Sequence, residues 1–137
     1  EVRPFDGVKK MIEQIHKSCD VAIVSSANYE AVKEEWTRFG LMEHVDIVLA
    51  QNAGSKKSCI ARLLTFGYDR EKVMMTGDAP GDMEAAEANG VCYYPILVRH
   101  EAESWEKITE AVSRLKEGTF AGEYQEKLTE TFVQNLS

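Results

Sequence analysis

Asp78 and Asp82 bracket a short turn, Gly77-Asp78-Ala79-Pro80-Gly81-Asp82, directly after the uncharged run Val73-Met74-Met75-Thr76. The run reads as a short buried strand, and the turn must face solvent at its C-terminal end. Desolvated carboxylates this close repel one another unless a cation sits near them. The same residues also fit a plain capping role, because acidic groups in a first helical turn are favoured by the dipole. Two further sets can do chemistry. Ser25, Ser26 and Asn28 follow the apolar run Val21-Ala22-Ile23-Val24, and Lys56-Lys57 open a helical pattern. Lysines at a helix start run against the dipole, and an anion there would give them a purpose. A lysine and hydroxyls can take phosphate oxygens while a carboxylate pair takes a hard cation such as magnesium.

The elements that must hold these groups are legible from periodicity. Val8, Met11, Ile12 and Ile15 predict an amphipathic helix over about residues 5–17, with Pro4 and Asp6 at its start. Val21 to Ser25 reads as a strand buried on both faces. A helix from about Asn28 to Phe39 places Tyr29, Val32, Trp36 and Phe39 on one face, and Gly40 stops it. Val45 to Leu49 is the next strand, and the helix opened by Lys56 carries Ile60, Leu63, Leu64 and Phe66. After the strand at residues 73–76, Asp82 to Ala88 is a run of good helix formers ended by Asn89-Gly90. Val91 to Tyr94 is a last strand, ended by Pro95, and Ile96 to Glu103 reads as a loop. Trp105, Ile108, Val112 and Leu115, then Phe120, Tyr124, Leu128, Phe132 and Leu136, predict two amphipathic helices packed on the flank. Alternating strands and helices imply right-handed crossovers, hence an α/β fold with a doubly wound parallel sheet. All strand C-termini then share one edge, which collects Ser25, Ser26, Asn28, Asp78 and Asp82, with Lys56 beside it.

At 137 residues, 44% hydrophobic and 28% charged, the chain reads as one domain, with motifs over residues 1–100 and C-terminal helices over 101–137. A net charge of −7 argues against nucleic acid or an anionic membrane as partner. Cys19, Cys59 and Cys92 show no metal or redox spacing and read as free thiols of a reducing, cytoplasmic compartment.

The three motifs in this order resemble the haloacid dehalogenase superfamily, mostly metal-dependent phosphatases. The apolar strand ending at Ser25 matches its phosphate-binding strand, and Ser55-Lys56 ahead of Ile60 matches its helix-start lysine. Gly77-Asp78-Ala79-Pro80-Gly81-Asp82 matches its acidic magnesium-binding turn. The resemblance implies Ser25, Ser26, Asn28 and Lys56 on phosphate and Asp78 and Asp82 on magnesium. Lys56 and Asp82 are then the catalytic candidates, and the downstream apolar positions favour Lys56 over Lys57. It further implies a Rossmann-like core and a small phosphorylated metabolite as substrate.

One departure decides the mechanism. The family's nucleophile lies in an Asp-x-Asp motif on the first, central strand, and no Asp-x-Asp occurs in these 137 residues. Phe5-Asp6-Gly7 opens a helix without an apolar strand before it. The expectation is therefore part of a larger phosphatase that works through an aspartyl-phosphate, the nucleophile lying outside this chain and the isolated chain inactive. The central strand would be supplied by an upstream segment or another copy. A non-catalytic binding domain on the same fold is the alternative. A receiver domain, also doubly wound, would need an early acidic pair that Asp6 and Asp20 do not provide.

Overall fold

The computed structural model describes residues 7–137, so the expected helix start at Pro4 to Asp6 lies outside the described residues. Within them, α1 (Val8–His16) leads to β1 (Ala22–Val24), α2 (Tyr29–Arg38) and β2 (Ile47–Leu49). Then come α3 (Lys56–Leu64), β3 (Met74–Gly77), α4 (Pro80–Asn89) and β4 (Cys92–Pro95). The C-terminal flank is α5 (Glu101–Glu106), α6 (Ile108–Glu117) and α7 (Glu123–Asn135).

The strands form two parallel pairs, β1 with β2 and β3 with β4. Ile23 lies opposite Val48, and Met75 opposite Tyr93. Among the described residues no strand pairing joins β1 to β3. Cys92 and Ile96 donate their N–H groups to Val73 and Gly77, so backbone alternation turns Tyr93 away from β3. That outer edge is closed by a side chain. Tyr93 N–H donates to Gln125 Oε1 at 2.7 Å, and Gln125 Nε2 donates back to the Tyr93 carbonyl at 2.7 Å. The same alternation turns Met74 and Thr76 of β3, and Ala22 and Val24 of β1, away from their partner strands.

Burial singles out β4, while β3, expected to be a buried strand, is half-buried throughout. β4 is buried along its whole length, covered by α6 on one face and by α7 and α4 on the other. β1 was expected to be buried on both faces, but only Ile23 is, packed with Val32 and Trp36; Ala22 is exposed and Val24 half-buried. Trp36 joins that cluster to the one formed by Val8, Ile12 and Leu41, and Trp105 joins the latter to the α6 cluster. The C-terminal helices thus pack against the motif-bearing part.

The flank holds three helices rather than two. The expected loop to Glu103 is helical from Glu101, and the chain breaks at Lys107, so the stripe from Trp105 to Ile108 crosses a helix boundary. α3 stops at Leu64, which leaves Phe66 past its end and 66% exposed instead of in the core. Tyr29 and Leu136 are also exposed, each near an end of its helix. Cys59 and Cys92 are buried free thiols, each pushed up first by desolvation, which keeps them protonated and inert; Cys19 is half-buried.

Candidate functional site

Lys56 is the first residue of α3, and Ser55 caps that helix by accepting the Ser58 N–H at 3.1 Å. The lysine that runs against the dipole has an anionic partner inside the protein. Its Nζ donates to Asp82 Oδ1 at 2.6 Å, with the Lys56 side chain 31% exposed and that of Asp82 6%. The neighbouring Lys57 is exposed.

Asp82 stands in the first turn of α4, and its other oxygen, Oδ2, accepts the Ala79 N–H at 3.1 Å. This is the returning half of a capping box, with the carboxylate reaching back to the N-cap backbone. The capping reading and the reactive-group reading therefore fall on the same side chain. Room for it comes from Gly77. A Cβ on Gly77 would lie 2.2 Å from Asp82 Oδ2 and 2.5 Å from its Cγ, so only glycine lets the carboxylate sit against the end of β3.

Asp78 is exposed at the tip of the same turn. The Gly77 carbonyl just before it is held twice, accepting the Ile96 N–H at 2.8 Å and the Tyr93 hydroxyl at 2.8 Å. Burial first, and then the carboxylates of Asp82 and Asp78, push the Tyr93 hydroxyl well above the usual phenol range, so it stays a donor. Sequence reasoning gave Tyr93 no role. A tyrosine in an apolar strand carries no signal that its hydroxyl reaches a turn two residues beyond its cross-strand partner.

Ser25, Ser26 and Asn28 form their own turn at the end of β1. Ser25 Oγ accepts the Ala27 N–H at 3.1 Å, while the Ser25 N–H donates to Leu49. Asn28 caps α2, its Oδ1 accepting from Glu30 N–H at 2.8 Å and Ala31 N–H at 3.3 Å. Ser26 is exposed. None of these bonds reaches Lys56, Asp78 or Asp82, so the structure brings Lys56 and Asp82 into contact and leaves the β1 turn a separate group. α3 is the element between them, packing on α4 and touching β1. A shallow cleft of about 350 Å³ opens where α3 and α4 meet, lined by Lys56, Lys57, Gly81, Glu84 and Ala85 among others. A larger hollow lies on the surface of α2, lined by Glu30, Lys33, Glu34, Thr37 and Arg38, none of them a site candidate.

Among the described residues no three His, Cys, Asp or Glu side chains cluster as a self-sufficient metal cage. The donor set still fits magnesium, which takes one or two carboxylates and keeps several waters. Asp78 offers an exposed carboxylate, whereas both oxygens of Asp82 are already engaged. Among the described residues no helix is long and apolar enough to cross a membrane.

Comparison with curated proteins and with solved structures gave no significant match. The family model for haloacid dehalogenase-like hydrolases matches residues 1–96, which takes in β1, Lys56, the Asp78 turn and β4. This chain belongs to the haloacid dehalogenase-like hydrolase family.

Proposed function

We propose that this chain supplies the phosphate-binding and metal-binding part of a magnesium-dependent phosphatase acting on a small phosphate monoester. The observation that carries the reading is the Lys56 ammonium held 2.6 Å from the Asp82 carboxylate beside the strand-end turn that bears Asp78. In this reading Asp78 is a direct magnesium ligand. Asp82 acts through Lys56 or a water, since its two oxygens are engaged. Magnesium would supply charge neutralisation at the phosphoryl oxygens. Lys56 binds the phosphate with a point charge, and Ser25 and Ser26, with the Asn28 amide, donate hydrogen bonds to it from the β1 turn. The isolated chain offers no nucleophile. An Asp-x-Asp strand from outside it would attack, become phosphorylated and be hydrolysed. Such a strand would pair with the amides of Ala22, Val24, Met74 and Thr76, and the reading is supported by those amides pointing away from their partner strands. An upstream segment of the same protein is the favoured source, and the compartment is cytoplasmic.

The test is turnover of an aryl phosphate with and without magnesium, by the isolated chain and by the chain joined to an Asp-x-Asp strand. Only the joined form should turn over. Lys56→Ala should lower its rate by about ten- to a hundredfold, the worth of a charge-assisted contact, and Lys57→Ala by no more than about threefold. Metal-dependent turnover by the isolated chain would sink the shared-site reading. Phosphate binding without turnover in either form would favour a non-catalytic binding domain.

A further inference from the structure

Tyr93 lies in the middle of β4 and is 2% exposed, and each part of it is held by a different group. Its hydroxyl donates to the Gly77 carbonyl. Its ring packs edge-on against Phe132, centroids 5.5 Å apart, and its backbone N–H and carbonyl are both held by Gln125. Phe132 and Gln125 belong to α7, which lies past the end of the family match at residue 96. The Gly77 carbonyl shares a planar peptide with the Asp78 nitrogen, so whatever fixes the direction of that carbonyl fixes how Asp78 leaves the strand.

We infer that Tyr93 is a positioning residue for Asp78, through which α7 sets the direction of the last peptide of β3 and so the aim of the Asp78 carboxylate. The inference rests on the proposed reading of Asp78 as a magnesium ligand. With the Ile96 N–H as the second donor, both lone pairs of the Gly77 carbonyl are occupied and the peptide has no freedom to rotate. Gly77 in turn is the residue against which the Asp82 carboxylate is seated, so the same peptide sets both acidic groups.

The chain contains its own control. Tyr94 is 4% exposed, and its hydroxyl also donates to a backbone carbonyl, that of Ser104. Successive strand residues point to opposite faces, so Tyr94→Phe removes a comparable buried hydrogen bond without touching the turn.

The two variants are compared by amide hydrogen exchange at Asp78 and Ala79 and by magnesium titration followed on the same amides. Tyr93→Phe keeps the ring and its Phe132 contact. It should speed exchange at Ala79 and weaken magnesium binding, each by about three- to tenfold, the worth of one net hydrogen bond. Tyr94→Phe should leave both within about twofold even where it lowers the melting temperature equally. Equal changes in the two variants, or no change in Tyr93→Phe, would overturn the inference. Gln125→Leu is a second route, because it frees the Tyr93 backbone while leaving the hydroxyl in place. It should loosen the same two amides, and should Tyr93→Phe fail to fold, unchanged Ala79 exchange in Gln125→Leu overturns the inference. If the wild-type amides do not respond to magnesium, the metal reading fails, and the exchange comparison still decides whether Tyr93 sets the turn.

Discussion

Removing Lys56 should cost more stability than removing Asp82, its ion-pair partner. In Lys56→Met the Asp82 carboxylate stays behind with its side chain only 6% exposed, and among the described residues the Ala79 N–H is its one remaining donor. Stranding a buried charge costs about 3–5 kcal/mol in a fully buried pair. Here the lysine end is 31% exposed, so water reaches the carboxylate once the lysine is gone, and about 2–3 kcal/mol is the expected loss. In Asp82→Asn the ammonium can swing into solvent, and the amide oxygen can still accept from Ala79, so the loss should be about 1 kcal/mol. The double variant removes both charges and should recover about 1–2 kcal/mol relative to Lys56→Met alone. Urea unfolding followed by circular dichroism reads all four proteins. At about 4 °C per kcal/mol for a chain of this length, Lys56→Met should also melt roughly 8–12 °C lower. Additive losses, or Asp82→Asn as the costlier single change, would refute the account of a carboxylate dependent on Lys56.

Two further outcomes follow from local geometry. Gly77→Ala should cost about 1–3 kcal/mol in unfolding free energy, because the new methyl would occupy the place of Asp82 Oδ2, whereas Gly81→Ala, with no atom within 4 Å, should stay within about 0.5 kcal/mol; equal effects would mean the carboxylate is not seated there. Asp46 accepts the Val21 N–H at 2.7 Å and meets His16 at 3.1 Å, and these contacts, the backbone one first, hold its carboxyl below the usual carboxylate range. A lowered folded pKa gives stability that is present above the unfolded value near 3.9 and is lost as pH falls through the folded one. With its side chain 42% exposed, Asp46→Asn should cost only about 0.5 kcal/mol at pH 6 and less as the pH falls through the folded value, as read by urea unfolding across that range; a gap that widens in acid would reverse the sign.

The order of strands and helices up to β4, and the two helix starts that carry Lys56 and Asp82, were readable in the sequence because each rests on local information. Apolar spacing, a serine cap ahead of Lys56 and a Pro-Gly turn ahead of Asp82 define two helix starts, and the alternating topology brings such starts to one edge. Ends were less legible. Apolar spacing continues to Phe66 although α3 stops at Leu64, and it runs from Trp105 through Ile108 although Lys107 breaks the helix between them. Burial of β1 was over-read, since an apolar strand shows what it can bury and not what covers it. Tyr93 and Gln125 were invisible for a different reason. They meet across 32 residues through a carboxamide on an otherwise unremarkable helix face, and no periodicity records such a pairing.

The two strand pairs differ in what completes them, and the difference bears on where a substrate can be held. The β3–β4 pair has its β4 edge closed by Gln125 and its turn fixed by Tyr93, Asp82 and Lys56. The β1–β2 pair is tied in by side chains at its start, with Tyr68 donating to Asp20 and Lys116 to Ser18, while the hydrogen bonds of the Ser25 turn among the described residues go to itself, to the start of α2, to β2 and to Gln51 just after β2. Among the described residues the register between Ser25 and Asp78 is thus set by helix packing rather than by a shared hydrogen-bond ladder. Helix contacts yield more readily than a ladder, whose donors and acceptors cost about 1–3 kcal/mol each when left unpaired. A strand bound between β1 and β3 would therefore do two things at once. It would bring in the proposed nucleophile, and it would lock the Ser25 turn, proposed to bind phosphate, at a fixed distance from the acidic turn of Asp78.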